Sequence, residues 1–489
     1  MNLQKLCHAA QIRCDVDNIE INRIKSNSEK IEKGDLFVCL KGLNRDGHDY
    51  VADAEKRGAA AIIAEHAVNS SLPVFYTENT RKALPRMYNA WYGYPTKSLK
   101  LVAVTGTNGK TSVTYMLKAI FDASMYKTGL IGTVDSYIGE DKLEKISDSS
   151  LANMTTPDPE ELFRLFYEME KGGAEYVFME ASSHALALDK LEGLEFEAAV
   201  FTNLTPEHLD FHKDMDDYFL AKSRLFEKAK KKIINTDDPY GKKLRERFKE
   251  TSSGCSIIRK CCEFFANDIR DMGIDGSEYY FVSPIRQFLV RTPLIGRFNV
   301  MNTLEAAACA VELGVPPSDV KCALASMCGV KGRLERVRLG TISDYSVFID
   351  YAHTPDALEN LLDTVCRIRK CNERVVLLFG CGGDRDKSKR RKMGEIAAEY
   401  ADFIVVTSDN SRSEEPSAII SEILLGVGDA AHTVVENRAE AIEYVIKNAR
   451  KGDIILLVGK GHEEYEIDKN GKHPFDERKI AALAAQKYN

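Results

Sequence analysis

Along most of this chain the apolar residues fall in short unbroken runs rather than in alternation with polar ones. Runs at 101–104, 128–134, 175–180, 198–201 and 232–238 lie in the middle. Others at 347–350, 375–380, 403–407 and 454–459 lie toward the C-terminus. A short apolar run closed by glycine or polar residues predicts a strand buried on both faces. Between the runs, helical spacing appears at 113–123, 159–171, 218–226 and 301–313. Pro159 follows a Thr155-Thr156-Pro157-Asp158 stretch that predicts a capped helix start, with Asn153 just before it. Strands alternating with helices predict parallel sheets covered on both sides, hence an α/β fold.

A chain of 489 residues is too long for one core and implies about three domains. The pattern divides it at 1–96, 97–331 and 332–489. The first segment is a small α/β domain, with a strand in 34–40, a helix at 51–58 and a strand at 59–64. Its polar loops at 26–28 and 44–48 suit ligand contact or ordinary turn chemistry equally. The second is a central parallel-sheet domain, and the third a Rossmann-like one.

Hydrophobic residues make up 44% and charged residues 29%, so the chain is globular and not disordered. A formal net charge of −7 excludes a general nucleic-acid binder. Lys228, Lys230, Lys231 and Lys232 read as a solvated face before a strand. The twelve cysteines contain no Cys-x-x-Cys pair, which excludes a zinc ribbon or a thioredoxin-type centre. Those in apolar or helical contexts, such as Cys309 and Cys322, read as buried free thiols of a reducing, cytoplasmic protein. No secretory signal and no membrane-length apolar run is present, so no membrane role is expected.

The chemistry starts where the run 101–104 breaks into Thr105-Gly106-Thr107-Asn108-Gly109-Lys110-Thr111-Ser112 and then a helix. Strand, glycine turn and helix together predict a phosphate-binding loop. Gly106 and Gly109 let amide N–H groups turn inward, Lys110 adds a mobile charge, and Thr111 offers a hydroxyl to Mg²⁺. The full P-loop pattern is not met, since Val104 stands where its first glycine belongs. Glu180 ends an apolar strand, the position where a P-loop enzyme holds its metal. His208 lies in a loop with His212 and several acids, and suits a second metal position or a structural role. Lys222 shares a helical face with Tyr218 and Phe226. Desolvation there can make it a neutral, nucleophilic amine, or it can simply snorkel. The last four strands end in Asp350-Tyr351-Ala352-His353, Gly382-Gly383-Asp384-Arg385-Asp386, Ser408-Asp409-Asn410-Ser411-Arg412 and Gly459-Lys460-Gly461-His462-Glu463. Arginines mixed with carboxylates at one sheet edge suit a zwitterionic ligand.

These motifs, with Glu180-Ala181-Ser182-Ser183-His184 and the Phe201-Thr202-Asn203-Leu204 to His208-Leu209-Asp210 stretch, resemble the ATP-dependent Mur ligases of peptidoglycan synthesis over essentially the whole chain. The resemblance is to the branch that adds a third amino acid to UDP-N-acetylmuramoyl-L-alanyl-D-glutamate. It implies a uridine-binding first domain and an ATPase central domain. ATP would phosphorylate the D-Glu carboxylate, and the amine of the incoming amino acid would displace phosphate. Residues implied for ATP are Gly106, Thr107, Asn108, Gly109, Lys110, Thr111, Ser112, Asn299, Arg333 and Asp350. Thr111, Glu180 and His208 are implied for Mg²⁺, with Lys222 carbamylated by CO₂. Lys110, Glu180, His208 and Lys222 form the implied catalytic set. Ser28, Thr155, Thr156, Ser183 and Lys190 are implied for the UDP-muramoyl dipeptide. Arg385, Asp409, Asn410, Ser411, Arg412, Gly459 and Glu463 are implied for the amino acid.

Family members that use meso-diaminopimelate carry Asp-Asn-Pro-Arg where this chain has Asp409-Asn410-Ser411-Arg412. Arg412 offers a fork to a carboxylate that L-lysine lacks, which favours meso-diaminopimelate. Asn27-Ser28-Glu29, Leu188 and Lys190 depart from the family's usual residues and leave a different acceptor open. L-lysine, or a folylpolyglutamate-type reaction, is the alternative; the latter predicts no separate first domain. A switch that merely hydrolyses ATP is the alternative outside ligases. A monomer is expected.

Overall fold

The computed structural model describes residues 1–16, 19–42, 45–144, 154–209, 211–327 and 329–488. Asn44, Asn153 and Asp210, each part of a stretch quoted above, lie outside the described residues. Two units arise, one of Met1–Phe264 with Glu305–Val320, the other of Phe265–Leu304 with Lys321–Asn489.

The first unit holds two sheets. In the smaller, Ile24–Lys25, Leu36–Val38, Ala61–Ala64 and Val74–Tyr76 pair in that order, all parallel. In the larger, six parallel strands run in the order Ser252–Ser256, Ala229–Asn235, Phe196–Phe201, Lys100–Thr105, Tyr176–Glu180, Thr128–Ile131. Ser136–Ile138 and Asp141–Leu143 extend it antiparallel. Leu101, Val102, Ala103 and Val104 are buried, as a strand covered on both faces must be. The helix Lys110–Ala123 presents Val113, Met116, Leu117, Ile120 and Phe121 to the sheet, the spacing of one helical face. Register then places the chemistry. Val104 pairs with Glu180, and Thr105 with Phe201, so three strands end level at one edge.

The second unit holds the antiparallel strands Phe264–Asp271, Ser277–Val282 and Gln287–Thr292, and a six-stranded sheet. In that sheet Ser346–Asp350, Ile454–Val458, Val375–Phe379, Phe403–Val406 and His432–Val434 are parallel. Glu335–Arg336 closes one edge antiparallel. Asp350 and Phe379 both pair with Val458, and Phe379 with Val406. The four polar strand ends therefore do lie along one edge.

Several local expectations need correction. Asp158 makes no side-chain cap on the helix Pro159–Lys171; its carboxylate pairs instead with Lys190 at 2.7 Å. The helix expected from 301 is Arg297–Glu312, so Asn299 lies within it and hydrogen-bonds Ile295 O at 2.9 Å. Three of the four clustered lysines belong to the strand Ala229–Asn235 itself. Lys232 is buried with its ammonium on Ala229 O at 2.8 Å, while Lys231 pairs with Glu312. Among the described residues the cysteines are free thiols; Cys309 is buried, but Cys322 is exposed because Val320, Ala323 and Leu324 take the inward face of its helix. No helix among the described residues is long and apolar enough to cross a membrane.

Candidate active site

At the level strand ends of the first unit, the turn 106–109 is held from two sides. Gly106 has φ +153, and a Cβ there would come within 1.9 Å of Thr202 Oγ1, so only glycine fits. Gly109, at φ +86, starts the helix with no side-chain cap, leaving the first-turn amides for an anion. Asn203 reaches over from the neighbouring strand. Its Oδ1 accepts from Asn108 N at 2.9 Å, its Nδ2 donates to Asn108 O at 3.2 Å, and its carbonyl accepts from Thr107 N at 2.9 Å. Thr202 Oγ1 donates to Asn108 O at 2.5 Å. Lys110 Nζ folds back onto Gly106 O and Thr107 O at 2.9 and 2.7 Å.

Glu180 is fully buried beside this turn. Its carboxylate accepts from Thr111 Oγ1 at 3.1 Å, Thr133 N at 2.9 Å and Thr133 Oγ1 at 3.0 Å. Gly132 lets it in, since a Cβ there would sit 2.5 Å from Oε1. A carboxylate and a hydroxyl already in contact at a phosphate loop are hard oxygen donors, the set Mg²⁺ takes together with phosphate oxygens. His208 adopts φ +58 and is largely exposed, its ring centroid 4.9 Å from that of His184. Lys222 is buried, donates to Gly106 O at 2.8 Å and stands 4.7 Å over the Tyr218 ring. Burial, reinforced by the charge of Lys110, holds its amine well below the usual lysine range. Lys222 is thus not a snorkelling residue.

Other implied residues fall into place unevenly. Thr156 is committed internally: its hydroxyl donates to Glu180 O at 2.8 Å and accepts from Ser182 N at 2.9 Å. Thr155 accepts from Thr133 Oγ1 at 3.2 Å. The buried Ser183 hydroxyl has no hydrogen-bond partner among the described residues, and Lys190 is occupied by Asp158. Ser28 is buried in a short 3-10 turn and hydrogen-bonds Asp53, drawing that carboxyl below its usual range.

In the second unit, Asp350 accepts from Leu334 N at 2.6 Å and Ala352 N at 2.8 Å; burial raises its pKa against the pull of Arg333. Arg333 stacks on Tyr351, 5.3 Å from its centroid. The residues that the resemblance implies for an amino acid meet at the sheet edge. Arg412, at φ +52, donates to Gly383 O at 2.8 Å, and Asn410 Nδ2 donates to Glu463 Oε2 at 2.7 Å. Gly459 packs on Asp409, where a Cβ would sit 2.6 Å from Oδ2. Ser411 is buried, and its carbonyl lies against Gly383. Arg385 donates to the adjacent Asp384 carbonyl at 3.4 Å. Burial raises the pKa of Glu463, while Asp409 is lowered because Lys460 and Arg438 outweigh its burial.

Asp46, His48 and His66 form the one metal-like cluster among the described residues. His48 is already spent, however: Nε2 accepts from Glu65 N at 2.9 Å and Nδ1 faces Asp46 Oδ1 at 2.5 Å. It fixes a loop. Sequence reasoning gave no role to Thr202, Asn203, Thr133 or Gly132, which shape the first site. The Thr202-Asn203 pair at a strand end was the one available signal.

A glycine turn at the head of a helix, a buried acid beside it and a second parallel sheet whose strand ends mix arginines with carboxylates are the frame of a nucleotide-dependent ligase. Three Mur ligase segments match: the family's catalytic domain over 20–93, the middle domain over 104–310 and the glutamate ligase domain over 332–461. The chain is 41% identical over 468 residues to a UDP-N-acetylmuramoyl-L-alanyl-D-glutamate–2,6-diaminopimelate ligase of Clostridium perfringens, covering 94% of each. It is 40% identical to the Oceanobacillus iheyensis protein of that name, covering 99% of each. A solved structure bearing the same enzyme name matches with TM-score 0.73 at 28% identity, over 100% of this chain and 99% of that one. A Mycobacterium tuberculosis folylpolyglutamate synthase, at TM-score 0.60 and 19% identity, shares the fold over 83% of this chain. The chain belongs to the Mur ligase family and is an ATP-dependent amide ligase of three-domain α/β fold.

Proposed function

We propose that this enzyme joins meso-diaminopimelate to the D-Glu carboxylate of UDP-N-acetylmuramoyl-L-alanyl-D-glutamate, through an acyl phosphate, in peptidoglycan synthesis. The observation that carries the choice of amino acid is Arg412 held at the same sheet edge as Glu463. A guanidinium fork and a carboxylate together read the second carboxylate and the ammonium of a diamino diacid. Segments 1–96, 97–331 and 332–489 serve the UDP-muramoyl peptide, ATP and the amino acid.

In this reading the amides of 106–112 cradle the triphosphate. Lys110 leaves the Gly106 and Thr107 carbonyls to neutralise charge on the transferring phosphoryl group. Asn299, Arg333 and Asp350 serve the nucleotide. Thr111 and Glu180 hold one Mg²⁺, and His208 with Glu180 a second; Mg²⁺ when bound supplies charge neutralisation at the phosphates. Lys222, its amine held well below the usual lysine range by burial, adds CO₂ through its unprotonated form and releases a proton, which leaves a carbamate anion beside the phosphate turn. Ser28, Thr155, Thr156, Ser183 and Lys190 face the UDP-muramoyl peptide. The enzyme acts as a cytoplasmic monomer.

The test is a ligation assay with ATP, the UDP-muramoyl dipeptide and a panel of amino acids. Meso-diaminopimelate is expected to be preferred over L-lysine. Arg412→Ala is expected to cost about tenfold to a hundredfold in kcat/KM for it, the value of a charge-assisted contact. A preference for L-lysine untouched by Arg412→Ala would overturn the amino-acid assignment. Intact mass in bicarbonate is expected to show a CO₂ adduct that Lys222→Ala lacks.

A further inference from the structure

We propose that Lys460, to which no role in the amino-acid pocket has been given, is a positioning residue for it; this rests on the reading of the 408–412 edge as that pocket. Lys460 follows the strand Ile454–Val458 and Gly459, and has no exposure. Its ammonium donates to Asn410 Oδ1 at 2.9 Å and Tyr465 O at 3.1 Å, lies 3.9 Å from Asp409 Oδ1, and faces the Phe475 ring at 5.4 Å. A lysine this enclosed has no solvent role, and its donors are spent on the pocket's own loop.

The consequence runs through one amide. Asn410 Oδ1 accepts from Lys460 Nζ and also from Ile467 N at 2.9 Å. Two donors on one atom fix it as the oxygen, because a flipped NH₂ would face an ammonium and an N–H. Nδ2 must then point the other way, and it does, donating to Glu463 Oε2 at 2.7 Å. Lys460, together with the Ile467 amide, therefore sets which face of Asn410 meets Glu463, and so where the Glu463 carboxylate stands. It also offsets the buried charge of Asp409, with Arg438 on the other side at 4.0 Å. Arg438 is the poorer target: it ties Ser408 O and Val458 O to the buried Glu477, so its loss disrupts the fold itself.

The experiment is steady-state kinetics of Lys460→Met, Asn410→Leu and the double variant. The varied substrate is whichever amino acid the wild type uses best from the panel. Lys460→Met is expected to raise KM for the amino acid about tenfold to a hundredfold, leaving KM for ATP and for the UDP-muramoyl dipeptide within about twofold. Because the lysine acts through Asn410, the double variant is expected to be little worse than the worse single one. Lys460→Arg, which keeps the charge and donors, is expected to recover part of the loss. Equal changes in all three KM values, or multiplicative effects of the two substitutions, would overturn the inference while leaving the ligase reading intact. A wild type that ligates no amino acid would overturn both. Should Lys460→Met not fold, Asn410→Asp supplies the test. It puts a carboxylate where Glu463 expects a donor, and an unchanged amino-acid KM would overturn the inference.

Discussion

Glu305 is fully buried, and neither carboxylate oxygen has a hydrogen-bond partner among the described residues. Burial, with Asp237 and Asp238 adding like charge, holds its pKa well above 4.5. A group whose folded pKa is raised binds its proton more tightly in the native state. Its contribution is fully present below the unfolded pKa and lost as pH rises toward the folded one. Thermal unfolding of the wild type is therefore expected to weaken with pH from about 5 to 8, where an unfolded glutamate ionises but a buried one resists. Glu305→Leu, which keeps the volume and removes the ionisable group, is expected to flatten that slope and raise Tm at pH 8 by about 2–4 °C. Scanning calorimetry across pH measures it, and an unchanged slope would show that Glu305 is ionised in the fold. Single residues such as this were the least legible part of the sequence. Lys222 could be placed on an aromatic face by spacing, but whether water reached it depended on Gly106 and Tyr218 meeting there. Arg412 could be matched to a motif, whereas its anchor on Gly383 joins separate loops.

Elements were more legible than their edges. The apolar runs at 101–104 and 454–459 became strands because a run that long can be covered only by helices on both sides. The helix Pro159–Lys171 kept its expected bounds although Asp158, expected to cap it, pairs with Lys190; the helix expected from 301 starts earlier, at Arg297, where Asn299 donates to Ile295 O four residues back. The strands between 252 and 292 left little sequence signal, being half-exposed and irregular; the pairing of Phe264–Asp271 with Ser277–Val282 shifts register between Asn267 and Arg270. The phosphate turn was read correctly as strand, turn and helix, but its outer wall was not, since Thr202 and Asn203 arrive from a strand far along the chain. That wall makes a sharp expectation. Asn203→Leu keeps the size but removes both side-chain bonds to Asn108. It is expected to raise KM for ATP about tenfold or more, since two hydrogen bonds that preform the turn are lost. KM for the amino acid is expected to stay near the wild-type value. Kinetics with ATP varied provide the check, and an unchanged KM for ATP would mean that the turn closes without Asn203.

At the scale of the whole molecule, the chemistry is divided by sheet. The phosphate turn, Glu180 and Lys222 belong to the first unit, and the edge that carries Arg412, Asn410 and Glu463 to the second. The sequence showed this division because each sheet has its own set of apolar runs and its own polar strand ends. It could not show that the edges would be level, which only pairings such as Val104 with Glu180 and Phe379 with Val406 establish. The proposed reaction has a kinetic consequence. Lys110 and Lys222 both donate to the Gly106 carbonyl, so in the proposed reaction Lys110 has to leave the backbone before it can meet a phosphate. Phosphoryl transfer to water is expected to be slow, since in the proposed reaction the D-Glu carboxylate receives the group. Phosphate release is therefore expected to need both the UDP-muramoyl dipeptide and the amino acid, with ATP alone giving less than about one hundredth of the full rate. A coupled phosphate assay with each substrate omitted in turn measures this. Hydrolysis of ATP at the full rate without an amino acid would overturn this coupling.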